Sequence, residues 1–168
     1  MTLSPEEQRA REVRAGRARS FIYGTIATLI AMASFETFGG EPLAAGAIIA
    51  VSAIATWWAH AYSTVLAERL TTDRRVTVAE VRDALREAWP IVTAAVPATV
   101  LAVGASQGLW SLPSAILVAN LIGIGVMGVA GLIAAHAAHV GRAATVAWVL
   151  VTAAIGAVIV LVEVAVHH

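Results

Sequence analysis

Residues 42–66 read PLAAGAIIAVSAIATWWAHAYSTVL, a run without Asp, Glu, Lys or Arg. As a helix rising 1.5 Å per residue it would reach roughly 37 Å, longer than the ~30 Å hydrocarbon core of a bilayer, so it reads as a membrane span. Within it Ser52, Thr56, His60 and Thr64, followed by Glu68, recur at intervals of four and lie along one ridge of the helix. His60 is the least expected of these, because an ionisable side chain inside a span is by default a functional candidate. The ridge is expected to face protein or water. The other faces, which include Trp57 and Trp58, are expected to face lipid or neighbouring helices.

The remainder of the chain extends this reading. Of 168 residues, 59% are hydrophobic and 13% charged, and the mean hydropathy is +0.80, far from soluble-domain usage. Roughly 20 residues per crossing leaves room for about five or six spans and no separate soluble domain. The expected fold is all-α, a polytopic transmembrane helix bundle with five spans at about 21–38, 42–66, 89–110, 112–138 and 143–166, forming a single membrane domain over 1–168. With no cysteine, disulfides, thiolate chemistry and Cys-ligated metals are excluded. All eleven basic residues are Arg, a composition typical of GC-rich bacterial genomes, which points to a bacterial inner membrane.

Residues 1–20 form a basic segment. Ser4, Pro5 and Glu7 stand at N-cap, N1 and N3 and predict a short helix opened by a capping box. Arg9, Arg11, Arg14, Arg17 and Arg19 suit cytoplasm and anionic headgroups; as a run before a span they are a topology signal and not a nucleic-acid site. The triplet Ala31-Met32-Ala33 resembles a cleavage site, but the acid-containing leader and the downstream spans predict a retained helix. Ser20, Gly24, Thr28, Met32 and Glu36 give the first span its own small and polar ridge. Residues 69–88 are expected to be a cytoplasmic connector, with a Thr77/Glu80 capping box opening a short amphipathic helix on which Val78, Val81, Leu85 and Ala88 share a face while Arg82, Asp83, Arg86 and Glu87 occupy other faces. The third span is bracketed by Trp89 and Trp110 and interrupted by Pro97, which removes one helical hydrogen bond. In the fourth span, Gly123, Gly128 and Gly131 allow close backbone approach, so this is the expected packing helix. The fifth carries Thr145, Thr152, Gly156 and Glu163 near one face. Five arginines precede the first span, five lie between Arg69 and Arg86, and the last is Arg142. A five-span path therefore keeps every one on a single side, with the amino terminus inside and the carboxyl terminus outside.

On this path His60, Glu68, His136 and His139 belong to the inner end, Glu36 and Glu163 to the outer end, with Asn120 between them. A buried histidine can change charge near neutral pH, so His60, with Glu68, Glu36, Asn120, His136 and Glu163, makes up the candidate set for relaying a proton or small cation. His136 and His139, three apart on a helix, form a weak metal pair; His167 and His168 at the terminus add nothing specific. No nucleophile, metalloprotease or phosphate-loop motif is present, so neither enzyme activity nor a cofactor is expected. The spacing of Arg17, Phe21, Gly24, Ala27 and Glu36 is similar to the first helix of the non-P-loop, lysosomal-type potassium channels. The Phe-Ser-Asp signature of that family would fall on Phe21, Ile22 and Tyr23, without its two polar residues, so membership is not assigned. Two expectations result. One is a small transporter or channel subunit for protons or a small cation. The other is a structural or accessory protein whose ridges only pack helices and which has the bilayer and a second copy of itself as partners.

Overall fold

The computed structural model describes residues 4–38, 41–72, 76–138 and 140–166, without the side chains at 5, 10, 33–38, 71, 72, 163, 164 and 166. Six helices follow in order: α1 (Pro5–Phe38), α2 (Pro42–Thr72), α3 (Val78–Ala88), α4 (Pro90–Ser106), α5 (Leu112–Ala137) and α6 (Arg142–Val166). Among the described residues, four stretches are long and apolar enough to cross a membrane: Pro42–Leu70, Val78–Ser106, Leu112–Ala137 and Arg142–Val162. In α1, eight residues between 5 and 19 are charged (Glu6, Glu7, Arg9, Arg11, Glu12, Arg14, Arg17 and Arg19), whereas residues 20–38 hold one charge, Glu36.

The expected capping boxes are both formed. The Ser4 amide donates to Glu7 Oε2 at 2.8 Å and the Glu7 amide to Ser4 Oγ at 3.2 Å. The Ser4 backbone N–H, and after it the Ser4 hydroxyl, hold the Glu7 carboxyl below its ordinary value. The Thr77 amide donates to Glu80 Oε2 at 2.7 Å, and Thr77 Oγ accepts from the Glu80 amide at 3.3 Å. The helix opened at Ser4 is not short, however: it runs unbroken into the first apolar stretch, since no proline lies between Pro5 and Phe38 to stop it. Likewise α2 continues to Thr72, well into the expected connector.

The third apolar helix ends earlier than its bracketing tryptophans suggested. Gly108 adopts φ 75, its amide donates to the Ala105 carbonyl at 3.0 Å and the Leu109 amide to the Gly104 carbonyl at 3.1 Å. This is a Schellman stop, in which a residue free of Cβ strain takes the left-handed position. Trp110 then folds back over Gly104 and its indole N–H donates to the Leu101 carbonyl at 2.8 Å. Pro97 is accommodated inside a continuous α4.

Side-chain contacts give the helix directions. Gly16 and Gly24 of α1 meet Glu87 and Ile91 in turn, so α1 runs parallel to α3 and α4. Gly46 meets Val103 while Trp57 meets Leu85, so α2 runs the opposite way. Gly131 meets Thr152 and Gly156 meets Ile124, so α5 and α6 are antiparallel. α1 packs against each of the other helices. The core is built mainly from alanine, with Ala53, Ala95, Ala98 and Ala119 around Met32, Ile49 and Ile116. Large apolar side chains lie outside instead: Val146, Trp148, Leu150, Val151, Ile155, Val158 and Leu161 of α6 are all exposed. Small residues inside and large apolar residues outside are what a lipid solvent selects, because backbones gain from close approach and the outer face needs no polar cover.

Candidate functional site

The α2 ridge lies beside the buried stripe of that helix. Ala45, Ile49, Ala53 and Ala61 are buried, whereas Ser52, Thr56, His60 and Thr64 are half-buried and Glu68 is exposed. One residue of offset is about 100° on a helix, so the ridge edges the packed face without forming its centre. His60 stands next to Tyr23 of α1, ring centroids 5.7 Å apart and planes tilted by 31°. Ser52 lies further along the same α1–α2 seam, beside a void of about 10 Å³ that Gly24, Thr28 and Ile91 also line, close to the lower limit for one water.

Thr28, Thr64 and Thr152 of the ridges, and Thr25 beside the first of them, turn their hydroxyls to their own helices. Thr64 Oγ1 donates to the His60 carbonyl at 3.0 Å, Thr28 to Gly24 at 2.8 Å, Thr25 to Phe21 at 2.9 Å and Thr152 to Trp148 at 2.8 Å. Each bond satisfies a buried or half-buried hydroxyl one turn back, whereas the hydroxyl of Ser20, on the α1 ridge, has no hydrogen-bond partner among the described residues. A larger void of about 40 Å³ between α1, α4 and α5 is walled chiefly by apolar groups, among them Leu29, Pro97, Ile122 and Val126.

The other expected site residues are scattered. Asn120 is 8% exposed, and its side-chain carbonyl has no hydrogen-bond partner among the described residues; an orphaned buried acceptor costs about 1–3 kcal/mol. His136 is exposed at the end of α5, its Nδ1–H directed at the Leu132 carbonyl at 3.0 Å. The side chains of Glu36 and Glu163, and His139, His167 and His168 altogether, lie outside the described residues. Among the described residues no three of His, Cys, Asp and Glu converge as a metal-binding group.

The glycine expectations divide. A methyl group on Gly123 would approach Leu29 Cδ2 to 2.7 Å, and one on Gly131 would overlap Thr152 Oγ1 and come within 2.8 Å of the Trp148 carbonyl. One on Gly128 would make ordinary contacts at 3.8 Å with Ala153 and Val149. Gly123 and Gly131 are therefore the tight positions of α5.

Sequence reasoning missed the junction of α1 with α3. Glu87, expected on the polar outer face of α3, is half-buried and its carboxylate occupies the space a Gly16 side chain would take. The face of α3 that packs is Ala84, Ala88 and, in α4, Ile91, backed by Trp57 and Leu85, while Val78 and Val81 are exposed. Trp57 Nε1 donates to the Leu85 carbonyl at 2.8 Å, and its ring meets that of Trp89 edge-on at 5.4 Å. The signal was present in the spacing, since Glu87 is three residues after Ala84 and four before Ile91, and Gly16 extends the Ser20–Gly24 ridge back by one turn. The chain matches no family model, no curated protein and no solved structure.

Proposed function

We propose that the chain is a membrane protein that crosses the bilayer five times, amino terminus inside, and serves a structural or accessory role without catalysis. The observation that carries this reading is the bonding of the Thr28 and Thr64 hydroxyls on the ridges to carbonyls of their own helices, beside voids that are small and mainly apolar. Interhelical polar contacts in membranes are worth only about 0.6 kcal/mol on average, so such ridges fit a bundle held mainly by close backbone packing. The inside orientation rests on the arginine distribution and the bacterial cell membrane on the all-Arg composition.

The rival reading is conduction of protons or a small cation past His60, favoured by the half-buried position of that ring between α1 and α2. Proteoliposome flux decides between them. The accessory reading predicts proton, sodium and potassium fluxes equal to those of empty liposomes at every pH between 5 and 8, with His60→Gln indistinguishable from wild type. A pH-dependent flux that His60→Gln abolishes in a folded protein would overturn it and establish conduction.

A further inference from the structure

The basic end of α1 and the void between α1, α4 and α5 share one face of that helix. Gly24 meets Ile91 of α4, and Leu29 meets Gly123 of α5; at about 100° per residue the two stand about 140° apart around α1. Phe21, Thr25 and Thr28 fall in the sector between them, and with Leu29 they form the α1 wall of the void. Arg14 and Arg17 fall in the same sector of this unbroken helix, Arg17 one turn before Phe21 and Arg14 two. Thr25, Leu29, Ala98 and Ala119 are buried and make the floor of the void. Pro97 and Ile122, which also line it, are exposed, so it opens sideways as a groove. With the space open to the outside included, the groove holds about 350 Å³. From Phe21 to Leu29 it follows α1 for about 12 Å, most of the ~15 Å depth of one leaflet's hydrocarbon.

Depth and charge select what fills this groove. Tyr23 beside His60, and Trp89 beside Trp57, form an aromatic layer near its inner end, and such layers mark the headgroup boundary. Arg17 is six residues, about 9 Å, outside Tyr23, in the headgroup zone. The Arg14 and Arg17 side chains are exposed, and neither belongs to an ion pair among the described residues. Glu12, the acidic residue nearest to them in the chain, is on the far side of α1, about 170° from the middle of the sector, and Glu87 lies outside it, against Gly16. Two free guanidiniums above an apolar groove complement a phosphate that carries acyl chains, because guanidinium engages phosphate oxygens in pairs. Basic pockets between membrane helices on the cytoplasmic side hold lipid headgroups by the same means. A zwitterionic lipid brings its own cation beside the phosphate and gains less. We propose that Arg14, Arg17 and the groove between α1, α4 and α5 form a binding site for one anionic phospholipid of the inner leaflet. The site rests on α1 crossing the membrane with its basic end inside, which cysteine labelling tests separately.

The test melts the purified full chain in detergent micelles containing palmitoyl-oleoyl phosphatidylglycerol or, at equal mole fraction, phosphatidylcholine with the same chains. Phosphatidylglycerol at about ten times its dissociation constant raises the melting temperature over phosphatidylcholine by about 3–6 °C, and the rise saturates. The double variant Arg14→Gln/Arg17→Gln loses that increment. Arg9→Gln/Arg19→Gln, with the same change of charge outside the sector, keeps it. Ala94→Leu, which fills the groove from its α4 wall, loses it too, its own melt in phosphatidylcholine serving as the reference for folding. Inorganic phosphate, a headgroup without chains, gives no rise. Equal melting in the two lipids would overturn the proposal in favour of unselective annular lipid, and equal loss in the two arginine pairs in favour of a diffuse basic surface. An increment retained by Ala94→Leu or reproduced by phosphate would remove the groove from the site. A dimer that Ala94→Leu splits into monomers would give the groove to a second copy of the chain and overturn it likewise.

Discussion

Gly24→Leu yields no stably folded bundle, and Gly24→Ala already lowers stability by about 1–3 kcal/mol. The reason is the nature of what a side chain there would meet: the Ile91 Cα at 2.6 Å and its carbonyl oxygen at 2.8 Å, both backbone. Backbone cannot turn aside as a rotamer can, so α1 and α4 would have to separate along the whole seam. That seam holds Ile91, 1% exposed, and Ser20, and α1 packs against each of the other helices, so the disturbance spreads. Gly125→Leu is the matched control, because nothing lies within 4 Å of that position. Thermal melts and size-exclusion profiles in detergent check the pair; a Gly24→Leu protein as stable as Gly125→Leu would remove the close-packed α1–α4 seam from the account.

At the other flank, Gly131→Val detaches α6 while leaving the remaining helices associated. Its side chain would take the space of Thr152 Oγ1 and press on the Trp148 carbonyl at 2.8 Å, the same carbonyl to which Thr152 donates. α6 has little else to hold it, since only 6% of its apolar window is buried and α5 is its chief neighbour. Overpacking of this kind costs about 1–3 kcal/mol, a large fraction of what one peripheral helix contributes. Gly128→Ala, with 3.8 Å to its nearest neighbours, is tolerated. Hydrogen exchange localises the effect: amides of 145–160 lose protection in Gly131→Val and keep it in Gly128→Ala, and uniform protection in both would contradict the assignment of Gly131 as the tight contact.

What the sequence disclosed and what it concealed follow from the physics of each signal. Capping at Ser4 and Thr77 was legible because it depends on residues three apart in the chain. The apolar stretches were legible because a bilayer demands about 20 consecutive apolar positions. The end of the third apolar helix was not. Trp110 looks like an interfacial anchor by composition, yet Gly108 reverses the chain and brings the indole back to the Leu101 carbonyl. Glu87 was misplaced because a half-turn of polar residues on a short helix looks solvated from one strand of sequence. Only α1, which offers Gly16 where the carboxylate lands, makes that position an interior one. For the same reason the ridge through His60 was visible as a periodicity, whereas its neighbour Tyr23, 37 positions earlier in the chain, was not.

The central claim is that α1, charged in its first half, still crosses the bilayer and makes the path five spans. The chain has no cysteine, so single cysteines placed at Ser4 and Glu41 can be labelled with a membrane-impermeant maleimide in right-side-out and inverted vesicles. The account predicts that Glu41→Cys reacts from outside and Ser4→Cys only from inside, with Gln107→Cys following the first and Val76→Cys the second. Labelling of Ser4→Cys and Glu41→Cys from the same side would contradict it and leave the four-span path.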